Sequence, residues 1–458
     1  MNSAVFNIAS YEDHEGINRV VKEALCFDSE IEKVLRRSEE STLVVLKPNW
    51  VQESHEYDPD IWIPLITHPN LVISVIKSLA TMMNGKGTIV VCDAPHTYAN
   101  FQKILERGSF TTEFGEIKRK WPSIKFEIID LRREIWTRKE EVVTDRRPNA
   151  EDPRGYVKVN LGENSHFYNY EGEGSYYGAD YDSHVVNEHH NGKTQEYMLA
   201  GTPMHCDLFI NLPKVKTHKK TGVTCCLKNL VGINGDKNWL PHHTQGSKTF
   251  VGDEFPRASM TSRIESSLKD VGKQIALNVP FLGSYVYRKM RVAGKKIIGD
   301  SEKVIRNGNW SGNDTCWRMA LDLNRAFLYG NGQGLLEGKP VRRKYLAIVD
   351  GIVGGEGNGP LCPNPVNSNV LVYGTNPAVV DAVVAKLMGF NIHYLPIIEN
   401  AFNESSFPIS DTVLSNIMIN DFRSNVSVGI KELLPATTTG FQPHFGWKQL
   451  NNLRDGQC

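Results

Sequence analysis

Thr42-Leu43-Val44-Val45-Leu46-Lys47-Pro48-Asn49-Trp50 is the stretch that decides the fold. An unbroken apolar, β-rich run this short is too brief for a helix and, having no polar alternation, reads as a strand buried on both faces. It delivers Lys47 and Asn49 at its C-terminal end. After Thr67-His68-Pro69, the apolar positions Leu71, Val72, Val75, Ile76, Leu79, Met82 and Met83 recur at helical spacing until Gly85, where a left-handed stop is expected. Residues 88–92 form a second apolar strand that ends in Asp93-Ala94-Pro95-His96, and a weaker helical pattern follows over 101–107. This β–α–β–α rhythm predicts an α/β fold with a mainly parallel sheet and helices on both faces. In such a sheet the ligand crevice lies beyond the carboxyl ends of the strands, which places Lys47, Asn49, Asp93 and His96 there.

Outward from this core, a chain of 458 residues allows two or three domains of about 100–200 residues each. One α/β body with insertions is expected. Residues 1–40 read as an N-terminal helical segment and 41–133 as the first part of the core. Residues 134–200, charged and rich in Gly, Asn, Tyr and His with little periodicity, read as an insertion or lid. The second part of the core runs over 201–390, and 391–458 is a C-terminal extension with no clear functional signal. Within the second part, strands are expected at 207–211, 345–349 and 370–373 and a helix at 221–231. Ile264, Leu268, Val271 and Ile275 line one face of another helix. A last helix begins at Pro377, with Asn376 as its N-cap and Gly389 at its end. The segment 281–298 is basic and amphipathic; it is compatible with a membrane surface, although most such stretches cover a core or a partner.

Charge narrows the partners. Lys plus Arg and Asp plus Glu both number 52, so no overall field draws the protein to nucleic acid or an acidic membrane, and no nucleic-acid partner is expected. Any bound anion needs a local cluster. The first thirty residues carry acids and no apolar run of signal-peptide length, and no apolar stretch approaches about 18 residues, so a cytoplasmic location is expected. The eight cysteines show no C-x-x-C spacing, which fits reduced thiols and leaves no iron–sulfur motif.

The chemistry concentrates between Asn211 and Gly232, in Asn211-Leu-Pro-Lys214-Val-Lys216-Thr217-His218-Lys219-Lys220-Thr221-Gly222-Val-Thr224-Cys-Cys-Leu-Lys228-Asn229-Leu-Val-Gly232. Lys214, Lys216 and His218 alternate, so an extended chain projects all three to one side. Thr221, Thr224 and Lys228 fall on one stripe of the expected helix, whose free N–H groups and dipole, facing lysines, suit a phosphate or carboxylate. A desolvated Lys216 or Lys228 among other cations is a candidate base or nucleophile. The glycines of Asp350-Gly-Ile-Val-Gly354-Gly355-Glu356-Gly357-Asn358-Gly359-Pro360 would let N–H groups approach an anion, with Gly355 and Gly357 as the closest candidates, although a tight turn is an equal reading. Asp350, His68 and His96 are the candidate ligands should a divalent metal be bound, with no H-E-x-x-H spacing to support one.

Taken together, Lys47-Pro48-Asn49, Thr67-His68-Pro69, Asp93-Ala94-Pro95, the Asn211-to-Gly232 stretch, Asp350-Gly and Asp381-Ala382-Val383 resemble the domain of unknown function 362 family, over roughly residues 42–390. The resemblance implies one common site built from these segments and brings no agreed reaction. Some relatives carry ferredoxin-like cysteine motifs that this chain lacks. A looser, fold-level similarity connects the family to nickel-pincer lactate racemases.

The leading expectation is an enzyme acting on a small anionic substrate, phosphorylated or carboxylated. His218 is its acid–base group, with Lys216, Lys228 and Asp93 as further catalytic candidates. Lys47, Asn49, Lys214, Thr221, Thr224 and Asn229 are the binding residues. The alternatives are a non-catalytic binding protein for an anionic metabolite, a metal- or cofactor-dependent isomerase or racemase, and a membrane-surface enzyme of glycan or envelope assembly.

Overall fold

The structure is a computed structural model that describes residues 2–139, 142–180, 182–257, 304–338 and 343–454. Its centre is one large mixed, mostly parallel sheet. The strands are β1 (Ser3–Asn7), β2 (Leu43–Pro48), β3 (Thr88–Asp93), β4 (Lys125–Asp130), β5 (Leu208–Leu212), β6 (Lys214–His218), β7 (Gly222–Thr224), β8 (Lys344–Asn358), β9 (Cys362–Gly374), β10 (Met418–Asp421) and β11 (Val426–Gly429). They lie in the order β11-β10-β1-β9-β8-β5-β2-β3-β4, with β6 paired to β8 and β7 paired to β6. The run β8-β5-β2-β3-β4 is parallel throughout.

Period-two geometry explains why the central strands read as solid apolar runs. Val44 and Leu46 face one layer while Val45 faces the other, and Leu346 and Ile348 alternate with Ala347 and Val349 in the same way. One layer is packed by α1 (His14–Leu25), α2 (Pro69–Met82) and α3 (Phe110–Lys120) through Val21, Val75, Ile76 and Ile117. The other is packed by α5 (Cys316–Tyr329) and α6 (Pro377–Leu387) through Met319, Phe327, Val379 and Val383. Helices therefore cover both faces. His68 caps α2, its ring Nδ1 accepting from the Asn70 N–H at 3.2 Å, and Asn376 caps α6 through the N–H groups of Ala378 and Val379. Gly389, with φ of +79°, ends that helix in the left-handed region that β-carbons disfavour.

Four expectations change. The N-terminal helical segment also supplies β1, and the C-terminal extension supplies β10 and β11; β1 runs antiparallel to β9 and parallel to β10, so the two chain ends complete one sheet. Residues 134–200 are built rather than structureless: Tyr156–Asn160, Thr194–Ala200 and His190–Asn191 form a three-stranded sheet, and Tyr176–Gly178 pairs with Pro241–Thr244. No helix spans 221–231. Gly222 adopts φ of +79° and Gly222–Thr224 folds back antiparallel on β6, leaving only the short α4 (Cys226–Asn229) and a 3-10 turn, so Thr221, Thr224 and Lys228 share no helical stripe. The Gly-rich segment after Asp350 is strand, because β8 continues as a long hairpin with β9. The helix face at Ile264–Ile275 and the basic segment 281–298 lie outside the described residues.

Candidate functional site

Three polar clusters form where β2, β3, β5 and β6 end. The first is an inner network. Lys47, fully buried, pairs with Asp93 at 2.8 Å and donates to the Pro48 carbonyl at 2.7 Å. Asp93 also accepts the Trp50 N–H at 2.7 Å. Asn229 joins two strand ends: its Nδ2 donates to Asn211 Oδ1 at 2.7 Å, while its Oδ1 accepts from Asn49 at 2.8 Å and Lys47 at 3.2 Å. Gly232 is required by space here, since a β-carbon on it would fall 2.1 Å from Asp93 Oδ1 and 2.5 Å from Lys47 Nζ. One acceptor is left over. Asn49 Oδ1 is buried and has no hydrogen-bond partner.

The second cluster ties β6 and β8 to the N-terminal segment and α2. Asp350 accepts the Tyr11 hydroxyl at 2.7 Å, the His68 N–H at 2.8 Å and the Lys214 ammonium at 3.1 Å. Tyr11 stacks on the His68 ring at 3.7 Å. All of Asp350's strong donors are internal, which marks Lys214 and Asp350 as a buried structural pair. Asp350, His68 and His96 do not assemble as a metal set: His68 offers Asp350 its backbone N–H and uses Nδ1 on Asn70, and His96 belongs to the third cluster. Among the described residues the one group of close potential ligands is Cys225, Cys226 and Asp381. Both Asp381 oxygens are engaged by the N–H groups of Cys226 and Leu227, and burial pushes both thiols up, so this trio is a capped helix start with protonated thiols. It also means that the positive end of α4, expected to receive an anion, already holds Asp381.

Lys216 is fully buried, with its Nζ on the Leu65 carbonyl at 2.5 Å. Burial, then Lys214, pushes its ammonium well below the usual lysine range. A β-carbon added at Gly355 would fall 2.8 Å from Pro363 Cβ and 3.1 Å from Lys216 Cβ, so Gly355 serves close packing. Gly357 gives its N–H to the Gln442 carbonyl at 2.8 Å. Neither glycine presents a cradle to an anion. Thr221 donates its hydroxyl to the Val223 carbonyl at 2.9 Å, and Thr224, opposite Lys216 in the β6–β7 register, has a buried hydroxyl oxygen without a partner.

The third cluster is different in kind. Lys228, 7 % exposed, has no hydrogen bond or ion pair among the described residues, and burial holds it below the usual lysine range. Its charge acts on the rings of His218, His242 and His96. Burial pushes the His218 ring well below the ordinary histidine range, and Lys228, His242, Lys219 and Lys220 push the same way. Burial acts likewise on His242, followed by Lys228 and Lys220, and on His96, followed by Arg138, Lys237, Lys219 and Lys228. No carboxylate is among the leading influences on any of the three rings. The result is a partly desolvated group of cations and neutral imidazoles.

Of the residues expected from sequence, His218 and His96 both come under the charge of Lys228. The structure places Lys47, Asn49, Asp93 and Asn229 in the neighbouring inner network, and Lys214, Asp350 and His68 in a separate structural cluster. From sequence, His242 reads as one of several histidines offering a metal alternative and as part of a polar, aromatic loop, and Lys219 and Lys220 as members of the basic stretch. A signal for His242 existed in the Pro241-His242-His243-Thr244 strand, whose pairing with Tyr176–Gly178 carries it into the site.

A family model described as "Domain of unknown function (DUF362)" matches residues 142–386, more than half of the chain. The chain belongs to this family. The matched range is shorter than the 42–390 expected from the motifs, and Lys47, Asn49, His68, Asp93 and His96 lie N-terminal to it. No curated protein matches the sequence. A crystal structure of a protein from Thermotoga maritima aligns with 11% sequence identity and a TM-score of 0.31, covering 84% of this chain and 57% of that one. The chain therefore spans a little over half the length of that structure. Among the described residues no helix is long and apolar enough to cross a membrane.

Proposed function

We propose that this DUF362 protein is an enzyme whose substrate is a small anion, phosphorylated or carboxylated, held against Lys228 with His218, His242 and His96 around it. The observation that carries the reading is Lys228, a buried ammonium with no counter-ion among the described residues. A buried charge without a partner costs several kcal/mol, and folded proteins keep such a charge where a ligand or a reaction offsets the cost. Histidines held neutral beside it add hydrogen-bonding capacity without adding positive charge to the free site. The paired lysines Lys47 and Lys214 are frame rather than clamp in this reading, since each already faces a carboxylate.

The test is calorimetric titration with inorganic phosphate and with malonate, on the wild type and on Lys228→Met, followed by a turnover screen over phosphorylated and carboxylated metabolites. Binding of one probe that falls at least about a hundredfold in Lys228→Met is expected, given that an ion pair at about 4 Å and an effective dielectric of about 20 is worth roughly 4 kcal/mol before desolvation. Equal binding by both proteins, or none, would sink the anion site. Binding with every ligand recovered unchanged would favour the non-catalytic binding protein.

A further inference from the structure

We propose that His242 and His218 divide the acid–base work of this site, His242 as the proton acceptor and His218 as the hydrogen-bond donor to the bound anion. The assignment rests on the anion reading above and is carried by backbone geometry. In His218, the main-chain N–H groups of Lys220 and Thr221 point at Nδ1 from 3.0 and 3.3 Å. An atom that receives two N–H donors must present a lone pair, so the neutral ring carries its proton on Nε2. In His242 the polarity is reversed. Its Nδ1 lies 2.9 Å from the Leu240 carbonyl oxygen, which only accepts, so Nδ1 carries the proton and Nε2 keeps the lone pair. Neither Nε2 has a hydrogen-bond partner among the described residues, and neither is among the sealed, unsatisfied atoms.

The two rings share one neighbourhood. Lys220 contacts His218 through its main-chain N–H, and His242 is itself among the charges acting on the His218 ring. Lys228 is the foremost charge acting on both rings. Opposite tautomers fixed by main-chain atoms give the site one donor and one acceptor before any substrate arrives. Two identical tautomers could not do this.

The chemistry that follows is a proton transfer. An O–H or C–H bond of the bound anion breaks, its electron pair stays on the substrate, and the proton goes to His242 Nε2, forming an imidazolium. The Nε2–H of His218 meets the substrate oxygen where negative charge grows, and Lys228 offsets that charge. The proton returns from His242 to product or solvent. An imidazolium beside Lys228 is tolerable only while the anion is present, so binding itself switches the base on.

The experiment is two-bond 1H–15N correlation spectroscopy on the full chain labelled with 15N-histidine, with signals assigned through His218→Asn and His242→Asn, near neutral pH with and without inorganic phosphate. The expected result is the Nε2–H form for His218, the Nδ1–H form for His242, and a shift of both signals on adding phosphate. The same tautomer in both rings, or an imidazolium in either before phosphate is added, overturns the division of roles even where phosphate binds. The expected tautomers without any phosphate response overturn the anion reading, and with it the roles assigned to the two rings.

Discussion

Replacing Lys228 by Met should make the unliganded protein more stable and the liganded protein less stable than the wild type. Lys228 is 7 % exposed and carries no hydrogen bond or ion pair among the described residues. Methionine has nearly the same length and no charge to desolvate, so the substitution should stabilise the free protein by about 1–2 kcal/mol, as expected where function rather than folding retains a residue. For a chain of 458 residues that is a rise in melting temperature of roughly 1–2 °C. Phosphate at about a hundred times its Kd stabilises whatever binds it by about 2.7 kcal/mol. The wild type would gain that increment and Lys228→Met would gain little, so the two melting curves should exchange order as phosphate is added. The assay is thermal unfolding of both proteins over a phosphate series at constant ionic strength. A variant less stable than the wild type in phosphate-free buffer, or equal phosphate shifts in both proteins, would refute the reasoning, because Lys228 would then be a satisfied structural residue.

Asp350→Asn should cost about 3–5 kcal/mol by chemical denaturation, since it leaves the Lys214 ammonium buried beside an amide that must face three donors; in a Lys214→Met background the cost should fall by more than half. Gly232→Ala should lower stability by about 1–3 kcal/mol, while Gly338→Ala, with open space around its position, should be neutral, both read from denaturation midpoints. Burial, partly opposed by Asp93, holds Lys237 down to about 7, below the ordinary lysine value of 10.5. Between those values the unfolded chain binds more protons than the folded one at this residue, so its contribution to stability rises with pH across that window. The stability difference between wild type and Lys237→Met, measured at several pH values, should therefore shift in favour of the wild type from pH 7 upward; a flat difference would contradict the buried-lysine assignment.

The sequence by itself determined the parallel heart of the sheet and the ends of its helices. Runs such as Leu43 to Leu46 and residues 88–92 are apolar on both faces because both faces are covered, and His68-Pro69 and Asn376-Pro377 announce helix starts through local capping chemistry that needs no distant partner. Sequence also drew attention to the Asn211-to-Gly232 stretch. The alternation of Lys214, Lys216 and His218 correctly indicated an extended strand, yet it could not say that their fates differ. Lys214 meets Asp350 and Lys216 meets only the Leu65 carbonyl, because these partners lie far away in the chain, while His218 comes under the charge of Lys228. The short strands β1 and β10 were equally illegible, since five residues or fewer at the chain ends become strand only by pairing across more than 360 residues, and β11 forms by adding to β10. The expected helix at 221–231 failed for the same reason: Gly222 folds the chain back on β6, and the energy of that pairing outweighs local helical preference. Local periodicity is set by burial of a face and can be read along the chain, whereas the protonation and pairing of a buried polar group depend on which distant backbone and charge the tertiary fold brings beside it.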